Sequence, residues 1–147
     1  MHTAQSKFAQ ILQQHNLSIT QPRRLLFETF ESHDQLTMQQ LCQLVTGRID
    51  KATVYRIVEV FERLGIVKRV NIGWKYKLEL SDAFNEHHHH LTCLVCGSVT
   101  AINEHDMETF IARIAAQHNF ETTEHQIEIQ GRCAACRKNK RTSPTSD

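Results

Sequence analysis

The sequence has no apolar run approaching the roughly 18 residues that a membrane-spanning helix needs, which excludes that class. Its first residues, MHTAQSKFAQ, lack a positive cluster followed by an apolar stretch, so no secretion signal is expected there. Proline and glycine are scarce, two and five in 147 residues, and repeats are missing, which excludes fibrous and low-complexity classes. A strong net charge is also missing. At +1 the chain does not announce nucleic acid by bulk charge. No HExxH, no nucleophile elbow and no phosphate loop occurs, so an enzyme with a small-molecule substrate is not expected.

What is present is globular: 40% apolar and 22% charged residues, a length that fits one domain or two small ones. The charge is unevenly placed. Residues 1–80 hold eleven Lys/Arg against seven Asp/Glu, and residues 81–147 hold six against nine. The basic half suits phosphate contacts, and the acidic half, with seven of the ten histidines, suits cations. With no export signal, a cytoplasmic setting is expected, and there cysteines spaced as CxxC favour metal over disulfides.

The first half reads as short helices followed by a hairpin. Phe8, Ile11 and Leu12 follow helical spacing. Thr20 is an N-cap candidate, with Pro22 tolerated in the first turn of a helix bearing Leu25, Leu26, Thr29 and Phe30. Met38, Leu41, Cys42 and Val45 follow Thr37, with Cys42 on the core side. Asp50 caps a fourth helix with Val54, Ile57, Val58, Phe61 and Leu64 on its apolar face, and Gly65 ends it. Ile66–Val70 and Trp74–Leu78 then flank a turn at Asn71-Ile72-Gly73, with Trp74 expected to pack. Helices ending in a hairpin predict a winged helix-turn-helix. In the second half, strands are expected at His89–Cys93 and Val99–Ala101. Met107, Phe110, Ile111 and Ile114 form a helical stripe expected in a core, and His125, Ile127 and Ile129 share one face of a strand. The boundary falls near Ser81–Glu86, giving units 1–82 and 83–147, with a polar, frayed tail from about Lys138.

Cys93-Leu-Val-Cys96-Gly97 and Cys133-Ala-Ala-Cys136 are two CxxC knuckles. Two intervening residues let the chain curl so that both thiolates face one ion, and two knuckles complete a tetrahedral shell with no open position. Such a shell is structural zinc. The run His87–His90 is internal and abuts the first knuckle. On extended chain His87 and His89 face one way, His88 and His90 the other, so one run can serve two metal sites. Completing ligands are available in His33, Glu79, Glu104, Glu108 and His125, and spacing alone does not distribute them.

Taken together, T-Q-P-R from Thr20, K-A-T-V-Y-R at Lys51–Arg56, L-G-I-V at Leu64–Val67, HHHHLTCLVCG at His87–Gly97 and C-A-A-C at Cys133–Cys136 resemble the ferric uptake regulator superfamily. The resemblance spans roughly Leu17 to Cys136. It implies a homodimer with N-terminal winged-helix domains and a C-terminal α/β dimerisation domain, an α/β (α+β) fold overall, in which metal between the domains sets their angle and the metallated dimer represses uptake genes. It implies structural zinc on Cys93, Cys96, Cys133 and Cys136. It implies a regulatory site on His33, Glu79, His88 and His90, and a second site on His87, His89, Glu108 and His125. It also implies that the helix holding Lys51 and Thr53 presents Tyr55 and Arg56 to the major groove of a palindromic, A·T-rich operator. Arg23, Lys68 and Lys77 are candidate phosphate contacts.

The chain departs from the family pattern in places. His89 stands where many iron-type members have Asp, and Ala101 stands where a regulatory carboxylate often lies, with Glu104 nearby. More imidazole and less carboxylate favours tetrahedral zinc, whereas Glu79, where zinc-type members often carry Cys, keeps six-coordinate ferrous iron open. Ser18 replaces a Lys that often reaches the minor groove. The function expected is a metal-dependent repressor sensing ferrous iron or zinc; the rival is a zinc-ribbon metal buffer or interaction module that binds no specific DNA.

Overall fold

The computed structural model describes residues 3–139. Its backbone divides into two units between Glu86 and His87. The first contains α1 (Ala4–Gln14), α2 (Gln21–Glu31), α3 (Met38–Leu44) and α4 (Lys51–Arg63), then a hairpin of β1 (Val67–Ile72) and β2 (Lys75–Leu80). This is a winged helix-turn-helix. The helices start where side-chain oxygens can satisfy free backbone N–H groups. Thr20 accepts from the Arg23 N–H, Thr37 and Gln40 form a reciprocal capping box, and Asp50 accepts from the Thr53 N–H. No helix among the described residues is long and apolar enough to cross a membrane.

α4 stops at Gly65, whose φ of +67° is left-handed. Nothing lies within 4 Å of a Cβ built there, so a side chain would meet backbone strain and no clash. Gly65→Ala is expected to cost about 1–2 kcal/mol of stability in urea unfolding. No change would mean that the turn escapes positive φ.

The core of this unit is aromatic at its centre. Phe8 stacks on Phe27 with ring centroids 4.2 Å apart, and Phe61 meets Phe8 edge-on at 5.6 Å. Leu12, Leu26, Phe30, Leu41, Val54 and Val58 close around them, and Cys42 packs against this core. Residues beyond β2 join it too. Phe84 meets Phe27 at 5.1 Å, and the Ser81 hydroxyl donates to the Gly65 carbonyl at 2.6 Å.

The hairpin differs from the sequence expectation. Its register runs from Val67↔Leu80 to Ile72↔Lys75, so the turn is only Gly73-Trp74. Gly73 has φ +60° and Trp74 is not left-handed, the pattern of a type II′ turn with glycine first. The strands therefore run through Asn71 and Ile72, and Trp74 moves to the apex. It is 89% exposed, which corrects the expectation that it packs. At the other end, Leu36 pairs with Leu78 through two backbone bonds and adds a short third rung.

In the second unit, β3 (His89–Cys93) is central, with β4 (Val99–Ile102) antiparallel on one side and β5 (Glu128–Gly131) parallel on the other. α5 (His105–Gln117) lies in the crossover to β5, and α6 (Ala134–Lys138) follows it. Lys138 is thus helical, and residues 140–147 of the expected tail lie outside the described residues. Two expectations need correction. His125 and Ile127 precede β5 and do not extend it. The α5 stripe is helical, yet no residue of α5 is buried, and Phe110 and Ile114 are 52% and 42% exposed. Periodicity marks a face that something must cover, and this unit's own described residues do not cover it.

Candidate metal centres and nucleic-acid interface

β3 ends in Cys93, and the chain turns at once through Cys96 and Gly97, whose φ is +72°. The turn is closed by the Gly97 N–H donating to the Cys93 carbonyl at 2.9 Å. Because β5 runs parallel to β3 with Gly131 opposite Cys93, the chain leaves β5 beside that turn. Cys133 then sits at the N-terminus of α6 and Cys136 within it. The Cys133 N–H points to the Cys93 sulfur at 3.3 Å, and the Cys96 and Cys133 sulfurs lie 3.8 Å apart. All four Sγ atoms fall within 4.8 Å of one another. With a Zn–S bond of about 2.3 Å, a tetrahedral shell has an edge of about 3.8 Å, so the donors fit zinc in kind and spacing.

The thiols also show why a dication belongs there. N–H groups of Cys96 and then Cys133 pull the Cys93 thiol from 9.0 down to about 6. The neighbouring Cys133 thiol, followed by burial and the other two sulfurs, pushes Cys136 up to about 12. One sulfur ionises readily and the last resists, because negative charge accumulates in one place. A bound cation removes that conflict. The Ser98 hydroxyl, 3.2 Å from the Cys96 sulfur, is a contact the sequence reading missed; its only signal was its place directly after Gly97.

The alternation expected of the histidine run is present. The His87 and His89 rings lie 4.8 Å apart on one side, and the His88 and His90 rings 4.9 Å apart on the other. On the first side α5 brings Glu108, and the segment before β5 brings His125. His89 Nε2 is 2.6 Å from Glu108 Oε1, His87 Nε2 is 2.9 Å from His125 Nε2, and His125 Nε2 is 3.1 Å from Glu108 Oε2. One potential ligand atom from each of the four lies within 4.8 Å of the others. Burial pushes the Glu108 carboxyl up, but hydrogen bonds from His89 and His125 and the nearby His125 and His87 charge outweigh it and hold it below the usual value. Three imidazoles and an ionised carboxylate fit a borderline divalent cation. His89 is 1% exposed, and its Nδ1 has no hydrogen-bond partner among the described residues.

On the other side, His90 is buried and pairs across the sheet with Ala101. Glu104 is exposed at the N-terminus of α5 and joins no cluster of donors among the described residues. Glu79, in β2 of the first unit, is 2% exposed, with Gln35 donating to it at 3.0 Å and Lys68 at 3.4 Å. The sequence reading missed Gln35, which reaches Glu79 because Leu36 is bridged to Leu78. His33 follows α2; its Nδ1 donates to the Thr29 carbonyl at 2.8 Å, so Nε2 is the ring nitrogen not engaged in that bond.

The expected DNA-facing residues divide into two groups. Tyr55 is 48% exposed on α4, Lys51 Nζ lies 6.0 Å from its ring, and Arg56 is exposed. Thr53 and Arg23 are instead half-buried and bonded within the chain, and Arg56 Nε also donates within its helix, to the Ala52 carbonyl at 3.5 Å. The Thr53 hydroxyl donates to Asp50 at 2.6 Å, and its hydroxyl and N–H hold the Asp50 carboxyl below its usual value. Arg23 donates to the Ser18 carbonyl at 2.7 Å. Lys68, an expected phosphate contact, is paired with Asp82 at 2.5 Å as well as with Glu79.

The profile of the ferric uptake regulator family matches residues 14–130. The chain belongs to the ferric uptake regulator family. The ferric uptake regulation protein of Escherichia coli K12 is 33% identical over 137 residues, covering 88% of this chain and 91% of that protein. The one from Neisseria meningitidis serogroup C is 30% identical over 146 residues, covering 92% and 99%. The crystal structure of the Vibrio cholerae ferric uptake regulator superposes with a TM-score of 0.72 at 30% identity, covering 85% and 98%. The chain is thus a metal-responsive transcriptional regulator of the ferric uptake regulator family, whose members are not enzymes.

Proposed function

We propose that this chain is a homodimeric repressor that binds a palindromic, A·T-rich operator when it holds its sensed metal, ferrous iron or zinc, and so controls metal-uptake genes in the cytoplasm. One observation carries the reading: the run His87–His90, which leads into β3, sets two imidazoles on each side of the chain, and β3 ends in the first zinc knuckle. Cys93, Cys96, Cys133 and Cys136 hold zinc for structure. His87, His89, Glu108 and His125 are the second metal site. His33, Glu79, His88 and His90 are the regulatory set, with Nε2 of His33 left available by its backbone bond. A metal there supplies a charge and a set of fixed bond directions, and acid weakens it because protons compete for imidazole. The unburied α5 face, with Phe110 and Ile114, is covered by a second copy. Exposed Tyr55 and Arg56 read the operator.

The test is a gel shift on duplexes selected from a random pool by the full-length chain. Ferrous iron without oxygen, zinc, and a chelated control are run in parallel. A shift is expected only with metal, with two chains per duplex, and is expected to vanish when His88→Ala and His90→Ala are combined. Metal-dependent binding retained by that double variant sinks the regulatory assignment. No shift under any metal sinks the repressor and favours a metal buffer.

A further inference from the structure

Trp74 is the only tryptophan in the chain, and it stands 89% exposed at the apex of the β1–β2 turn. A large aromatic at a tight turn, covered by nothing of its own unit, is costly to leave in water unless it meets a partner. Its neighbour defines what that partner is. Lys75 Nζ sits 4.7 Å from the indole ring, so the tip presents a flat apolar face and a positive charge together. The hairpin from Val67 to Leu80 carries Lys68 and Arg69, which are ion-paired with Glu79, Asp82 and Glu62, and Lys75 and Lys77 nearer the tip. A polyanion with flat apolar surfaces complements that tip.

The tip is also held in place. Arg69 on β1 pairs with Glu62 on α4 through two nitrogens, and its guanidinium lies 4.2 Å from the Tyr76 ring on β2. The bond to Glu62 raises the Arg69 pKa further, so the charge is permanent. This clasp ties both strands of the wing to the end of the helix that bears Tyr55 and Arg56. A helix seated in a major groove has a minor groove beside it on either flank, and the narrow A·T minor groove attracts cations strongly.

We propose that Trp74 and Lys75 form a second DNA-reading element, with the indole packed against the sugar walls or a base step of the minor groove that flanks the α4 site and the ammonium set between the phosphates. Apolar side chains wedged at minor-groove steps and aromatic rings stacked on bases have known energetic value. This inference rests on the proposed operator binding.

The uniqueness of Trp74 makes the test direct. The metal-loaded full-length chain is titrated with the selected duplex, labelled with fluorescein, and two signals are followed. Anisotropy of the label reports binding. Emission of Trp74, with acrylamide as quencher, reports whether the indole is covered. Saturating duplex is expected to cut acrylamide quenching of Trp74 several-fold. Trp74→Ala is expected to weaken binding about tenfold, with Trp74→Phe retaining most of the affinity and Lys75→Gln reducing its salt dependence. Zinc content and circular dichroism should match the parent, since the side chain supports no packing. If anisotropy saturates while Trp74 stays as open to acrylamide as in free protein, or if Trp74→Ala binds as tightly as the parent, the inference is overturned and operator binding stands. If anisotropy never rises under any metal, operator binding itself fails, and this inference with it.

Discussion

Cys133→Ser is expected to release the structural zinc and unfold the second unit while the first stays folded. Cys133 joins three things. Its sulfur neighbours that of Cys96, its N–H points to the Cys93 sulfur, and its residue opens α6. Serine keeps the shape, but its hydroxyl does not ionise at neutral pH and is a poor zinc ligand beside a thiolate. The remaining three sulfurs would leave an open shell and a knuckle that no longer holds β5 beside β3. The second unit has little else to fall back on. Its strands have only four or five residues, and α5 buries no side chain. The first unit has its own aromatic core, independent of the metal. Hydrogen exchange should therefore show amides of β3 and β5 losing all protection and amides of α2 and α4 keeping theirs, with zinc content falling by one equivalent per chain. A strong chelator on the parent protein should reproduce the pattern. Full zinc content and unchanged protection in the variant would remove the structural role assigned here.

Loss of both Tyr55 and Arg56 is expected to erase operator preference without harm to the fold. Each side chain is exposed on α4, and the buried face of that helix is carried by Val54, Ile57, Val58 and Phe61. Arginine can hold both acceptors of a guanine, a bidentate pair worth about 1–3 kcal/mol of discrimination, and tyrosine can pack on a thymine methyl. Each single alanine variant should weaken the selected duplex by about tenfold to a hundredfold, and the pair by more. Arg56→Lys should not rescue, because an ammonium lacks the planar fork. Binding to unrelated duplex should change little, since phosphate contacts elsewhere supply it. Equal loss on both duplexes would recast these residues as phosphate contacts, and no loss on either would remove α4 as the reading helix.

How much of this was legible in the sequence follows physical lines. Caps and stops were legible because they are local: Thr20, Asp50 and Gly65 act through bonds or dihedrals within a few residues of themselves. The knuckles were legible because two-residue spacing leaves the backbone few ways to place two sulfurs. The alternation of the histidine run followed from the pleat alone. What escaped depended on contacts or registers set elsewhere. The wing turn is two residues because Ile72 pairs with Lys75, a choice of register that the sequence leaves open, and with it went the environment of Trp74. The α5 stripe was correctly helical, but periodicity does not say what covers a face. Lys68 and Arg23 read as candidate phosphate contacts, and the fold gives them partners, Asp82 beyond β2 for Lys68 and the Ser18 carbonyl just before α2 for Arg23.

The parallel pairing of β3 with β5 has a consequence for synthesis. Cys96 meets Cys133 across 37 residues and Cys93 meets it across 40, with β4 and α5 strung between. A growing chain emerges N-terminal end first, so the aromatic core of the first unit can form while the second unit is still being translated. The first knuckle emerges early but holds only two of four sulfurs, too few to close the shell. The zinc site is therefore among the last parts of the molecule to assemble, and a chain that stops short of Cys136 has a complete DNA-reading unit attached to a half that cannot hold its metal.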